Sequence, residues 1–185
     1  MIKDVIANMN VHMDKSIEAL RKEYQRVRTG RASTSLLDEV KVDFYGSISP
    51  VSQVATLSVP EARTITIQPW DPKMIQPIEK AIMNANLGLT PANDGKVIRL
   101  NLPPLTEERR KDIVKGLKRD AEDAKVALRN IRRDAIDSLK KLEKDKQISE
   151  DELKRAEKEV QDFTNSHVAR VDEVLVHKEK EVMEV

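Results

Sequence analysis

The sequence has no cysteine, which excludes disulfides, thiolate nucleophiles and thiolate metal ligands. Aromatic residues are 3% of the 185 positions, too few for a base-stacking platform. Five scattered glycines form no glycine-rich phosphate loop. No run approaches the ~18 consecutive apolar residues that a membrane-spanning helix needs. The opening MIKDVIANMNVHMDK carries no long apolar stretch and no cleavage-site pattern. A soluble, cytoplasmic protein is therefore expected. His12, His167 and His177 stand in no metal-binding spacing, and the carboxylates fall on solvated helical faces. An enzyme, a metal and a cofactor are all unexpected.

What is present is charge, at 35% of residues against 39% hydrophobic. That mix is too polar for a large globular core and too regularly apolar for disorder. Long amphipathic helices satisfy both numbers, because each buries only a stripe. The net charge is +1, unevenly spread. Residues 106–148 carry fourteen bases against ten acids, and residues 149–185 carry six against eleven. A basic helix followed by an acidic one implies mutual attraction, or a binding face on one side.

Three stripes stand out. Ile2, Ile6, Met9, Met13, Ile17, Leu20, Tyr24 and Val27 recur at three and four residues, and Gly30 reads as the left-handed stop of that helix. Thr106 caps a second helix, with Glu107 and Glu108 in its first turn. Its seam alternates three and four without a break: Val114, Leu117, Ala121, Ala124, Leu128, Ile131, Ala135, Ser138 and Leu142. Ser149 with Glu152 has the form of a capping box for a third helix, striped by Leu153, Ala156, Val160, Phe163, His167 and Val171. His167 reads as a packed residue. None of these helices buries its stripe alone, so an elongated antiparallel three-helix bundle is expected.

Between the first two helices the pattern changes. Residues 39–46, 64–68 and 96–102 are β-rich, and residues 51–59 add a further candidate strand. Asn93-Asp94-Gly95 is a turn signal. Asp71-Pro72 starts a helix that is bent or delayed by Pro77 and ended by Gly88 and Pro91. The class is α+β. Residues 1–30 with 104–185 form a discontinuous helical domain, and residues 31–103 form an inserted β/α/β domain. The connections Thr29-Gly30-Arg31 and Pro103-Pro104-Leu105 suit a hinge.

The candidate site is a set of arginines. In ALRNIRRDAID (127–137), Arg129 and Arg132 have no acid three or four residues away, whereas Arg133 has Asp137. All three lie off the seam. Two readings stand: a solvated face or cross-helix pairs with the acidic last helix, or a phosphate-contacting patch. Arg26, Arg28 and Arg31 form a second basic group, which helix-dipole compensation explains well for the first two.

The strings VRTGRAS (27–33), SLLD (35–38), PPLTEERRKD (103–112), RNIRRDA (129–135) and DKQISEDE (145–152) occur in order along the whole chain. Together they resemble the bacterial ribosome recycling factor family. The chain departs from that family's common pattern at Thr34 and Ile136. The resemblance implies an L-shaped, tRNA-like protein that acts after translation termination. With elongation factor G and GTP, it would split the ribosome and release it from messenger RNA. It also implies that Arg129, Arg132 and Arg133, with Arg28 and Arg31, contact large-subunit ribosomal RNA (rRNA), and that the chain acts as a monomer. The alternative is a non-catalytic coiled-coil adaptor that uses its seam to bind another helix.

Overall fold

The computed structural model describes residues 1–184. The chain divides into two compact units, Met1–Thr29 with Thr106–Val185, and Gly30–Leu105.

The first unit is three helices: α1 (Ile2–Arg26), α3 (Glu107–Lys144) and α4 (Glu150–Met183). Ile6, Met9, Met13, Ile17, Leu20 and Tyr24 of α1 are buried against α3 and α4. Thr106 accepts a hydrogen bond from the Arg109 amide, and Glu107 and Glu108 occupy the first turn of α3. The capping box at the start of α4 is complete. Ser149 Oγ accepts from the Glu152 amide, and Glu152 returns the bond to the Ser149 amide. A short connection between α3 and α4, with Lys146 in a left-handed conformation (φ 58°), makes the pair antiparallel.

Two expectations for this unit change. Helix α1 stops at Arg26 with an extended Val27, so Gly30 (φ 81°) lies beyond the cap and turns the chain separately. The seam of α3 leaves strict alternation after Ala135: Ser138 is exposed, and the buried residue is Leu139. A repeat of 3.5 residues drifts about 20° per heptad against a straight helix of 3.6. After three heptads a second step of four restores the stripe to the core, and Leu139 is the residue there.

The second unit has six short strands and one helix, α2 (Ile75–Asn84). Strands β1 (Lys41–Phe44) and β2 (Ser47–Pro50) form a hairpin. Strands β3 (Ala55–Glu61), β4 (Thr64–Pro69), β5 (Pro91–Asn93) and β6 (Ile98–Asn101) form an antiparallel sheet in the order β3-β4-β6-β5. Alternate residues Ile65, Ile67, Ile98 and Leu100 face a core shared with Ile78 and Ile82 of α2. The short strands β2 and β5 are additions to the strands read from the sequence. Asp71 caps a single 3-10 turn over Pro72–Met74 before α2, so Pro77 falls in the first turn of α2, where its missing amide is harmless. The left-handed residue after α2 is Asn86 (φ 56°), ahead of Gly88.

Both ends of the second unit are tied to the turn between β3 and β4. The Ala32 amide donates to Ala62 O at 2.6 Å, and the Leu102 amide donates to Arg63 O at 2.8 Å. A Cβ on Gly30 would sit 3.2 Å from Leu105 Cγ. The chain therefore enters and leaves this unit at neighbouring points.

Candidate nucleic-acid interface

Helix α3 brings Arg129, Arg132 and Arg133 into two successive turns, outside the buried stripe of Leu128, Ile131 and Ala135. Arg129 and Arg133 are exposed, and Arg132 is half-buried. Each has a different environment. Arg129 reaches back two turns to Glu122, Nη1 to Oε1 at 3.2 Å, a partner outside the three- and four-residue spacings considered in the sequence. Arg133 makes no hydrogen bond or ion pair among the described residues, Asp137 included. Ile136 packs at the edge of the bundle core beside them.

Arg132 is held across the helix pair. Its Nη1 donates to Oε1 of Gln161 on α4 at 2.8 Å. Gln161 Nε2 in turn donates to Asn165 Oδ1 at 2.8 Å. Among the described residues, the buried Nε of Arg132 has no acceptor. An unsatisfied buried donor costs about 1–3 kcal/mol, so the guanidinium keeps bonding capacity that its helix partners do not use.

The partners of Arg132 stand out when its neighbours on the same face are followed. Lys118, Lys125 and Arg132 are spaced by seven, which repeats one face of α3 toward α4. Lys118 Nζ lies 3.9 Å from Glu179 Oε1, and Lys125 Nζ lies 2.6 Å from Asp172 Oδ1. Each step of seven along α3 is a step of seven back along α4. The next step from Asp172 reaches Asn165. The first two rungs are ion pairs, and the third presents amides. Lys118 and Lys125, which lie outside the arginine cluster, thus face α4 carboxylates across the helix pair, Lys125 closely and Lys118 loosely. The charge of Arg132 is oriented without being neutralised.

Sequence reasoning missed Gln161 and Asn165. The signal was available in the antiparallel register, but that register depends on the geometry of the α3–α4 connection.

The second basic group is divided. Arg28 belongs to the helical unit and Arg31 to the inserted unit, and both side chains are exposed. Tyr24, four residues before Arg28, bonds to Leu117. Arg129 lies twelve residues further along α3 than Leu117, ~18 Å at 1.5 Å per residue. Arg28 thus stands at a different level of the bundle from the arginines of α3. Thr29 and Gly30 adjoin where the units meet in sequence, as do Leu105 and Thr106. Pro103 and Pro104 are exposed and lie outside any helix or strand.

His167 is buried. Its Nδ1 lies 2.7 Å from Phe163 O and its Nε2 lies 3.1 Å from Asp14 Oδ1, so the ring ties α4 to α1. Among the described residues there is no group of three His, Asp or Glu side chains arranged to hold a metal. No helix of the described residues is long and apolar enough to cross a membrane.

A discontinuous three-helix bundle that carries an antiparallel α+β insert, with a row of arginines on the bundle's second helix, defines a two-unit class with a basic helical face. The chain belongs to the Ribosome recycling factor family, whose model matches residues 20–183. It is 85% identical to the ribosome-recycling factor of Citrifermentans bemidjiense and 82% identical to that of Geotalea daltonii, each over the full length of both chains. A solution structure of the ribosome recycling factor is similar over 100% of this chain and 98% of its own, at 42% identity and a TM-score of 0.75. Models for the T. thermophilus ribosome recycling factor and the E. coli elongation factor G bound to the E. coli post-termination complex also match. That similarity covers all of both chains at 46% identity and a TM-score of 0.63.

Proposed function

We infer that the chain is a translation factor that recycles ribosomes after termination. With elongation factor G and GTP, it splits the post-termination ribosome and frees it from messenger RNA. It acts in the cytoplasm as a monomer and without chemistry of its own. The helical unit binds large-subunit rRNA through Arg129, Arg132 and Arg133, with Arg28 and Arg31 as further contacts. The observation that carries this reading is the amide rung at Arg132. Where Lys125 spends its charge on the Asp172 carboxylate and Lys118 faces that of Glu179, Arg132 is met by an amide and keeps its own. A guanidinium fork matches phosphate oxygens, and a rod without stacking aromatics reads RNA by backbone charge and shape.

The two connections between the units act as a hinge: Thr29-Gly30-Arg31 and Pro103-Pro104-Leu105. Their adjacent exits from the inserted unit support this, because two strands that leave at one point make one pivot. Elongation factor G presses on the inserted unit, and the docked bundle strains the contacts between subunits.

The test is cosedimentation with purified ribosomes over graded salt. Phosphate contacts require binding that weakens as salt rises. Arg132→Ala should keep the fold and weaken binding about tenfold or more, the range for a lost charged hydrogen bond. Salt-independent binding, or wild-type affinity in Arg132→Ala, would overturn the reading.

A further inference from the structure

We propose that Gln161 is a positioning residue for ribosome binding: braced by Asn165, its amide aims the Arg132 guanidinium and leaves its charge available to an RNA phosphate. This rests on the reading of Arg132 as an rRNA contact.

The chain of bonds fixes the orientation of each amide. Gln161 Oε1 must face Arg132, because a guanidinium only donates. Gln161 Nε2 then points to Asn165 Oδ1 and holds the side chain by a second bond, one helical turn along. A glutamine on a helix surface would otherwise sample many rotamers, and so would a long arginine. Two successive bonds remove that freedom before RNA arrives, which lowers the entropic cost of binding.

Glutamine differs from glutamate by one charge and almost nothing in shape. A glutamate at 161 would give Arg132 an ion pair across the two helices, as Asp172 gives Lys125. It would tie the two helices at least as well as the amide does. It would also bind the charge that phosphate needs. The amide is thus a poor choice for cohesion and a good one for keeping a cation both ordered and free. The buried Nε without an acceptor agrees, since the intramolecular partners leave the guanidinium incompletely satisfied.

This gives stability and binding opposite signs. The full chain and its Gln161→Glu, Gln161→Met and Arg132→Ala variants are compared by thermal unfolding and by ribosome cosedimentation over graded salt. Gln161→Glu should unfold at or above the wild-type temperature, yet bind ribosomes about tenfold more weakly. Its slope of log affinity against log salt should be shallower by about one, as for a lost phosphate contact. Gln161→Met keeps the charge and removes the acceptor, so it should bind several-fold more weakly with the wild-type slope. If both Gln161 variants bind as wild type while Arg132→Ala is weakened, the positioning role is wrong and the rRNA contact stands. Wild-type binding by Gln161→Met alone would also overturn it. If Arg132→Ala binds as wild type, both readings fall together.

Discussion

The Tyr24 hydroxyl donates to the carbonyl oxygen of Leu117 at 2.6 Å, a buried bond that joins the last turn of α1 to the start of the α3 seam. Burial, followed by the charges of Asp120 and Glu179, pushes the Tyr24 phenol up from its ordinary 10 to about 12. The folded state therefore favours the neutral phenol. Its contribution to stability is fully present below pH 10 and is lost as pH rises through about 12. Tyr24→Phe should cost about 1 kcal/mol at neutral pH, the usual net value of such a bond. It should also flatten the loss of stability above pH 10. Denaturant unfolding of both proteins from pH 7 to 11.5 measures the two effects.

Leu139 and Ser138 provide a sharp contrast, since one is fully buried and its neighbour is exposed. Leu139→Ala should destabilise the helical unit by about 2–5 kcal/mol, and Ser138→Ala should change it by less than about 0.5 kcal/mol. Comparable losses in the two variants, followed by circular dichroism on heating, would place the core stripe elsewhere.

Asp14 accepts from Arg170 Nη1 at 2.6 Å and lies 3.1 Å from His167 Nε2. Arg170 is the main cause that holds its carboxyl below the ordinary 3.8, with His167 adding to it against the opposing effect of burial. A lowered folded value gives stability that is present above pH ~4 and lost as pH falls through that value. Asp14→Asn should therefore be less stable than wild type at neutral pH, with the difference shrinking in acid. A pH series of melting temperatures tests the sign.

Much of this architecture was legible because helices declare themselves by local chemistry. The stripe from Ile6 to Tyr24, the Thr106 cap and the Ser149–Glu152 box each depend on residues within a turn or two of one another. The Leu139 correction shows where local periodicity fails, since small drift accumulates over a long helix until the next residue takes the core position. Strands β2 and β5 are only four and three residues long, and nothing within so short a stretch separates strand from loop. The arginines of the candidate site were visible, but their partners were not. Glu122 lies two turns from Arg129, and Gln161 lies on another helix. Whether a surface cation is neutralised is a tertiary fact, fixed by the register of two helices.

The absence of cysteine makes the proposed hinge directly testable. One cysteine introduced into each unit and joined by a short bifunctional linker should leave ribosome binding intact and abolish splitting. Full splitting by the locked protein would contradict a moving hinge.

The proposed function rests on the charge that Arg132 keeps, and the splitting reaction reads it directly. Post-termination ribosomes are mixed with elongation factor G, GTP and the chain, and subunit separation is followed by light scattering. The wild-type chain should split the complexes, and Arg132→Ala should split them far more slowly at the same concentration. Splitting at the wild-type rate by Arg132→Ala would contradict the central claim.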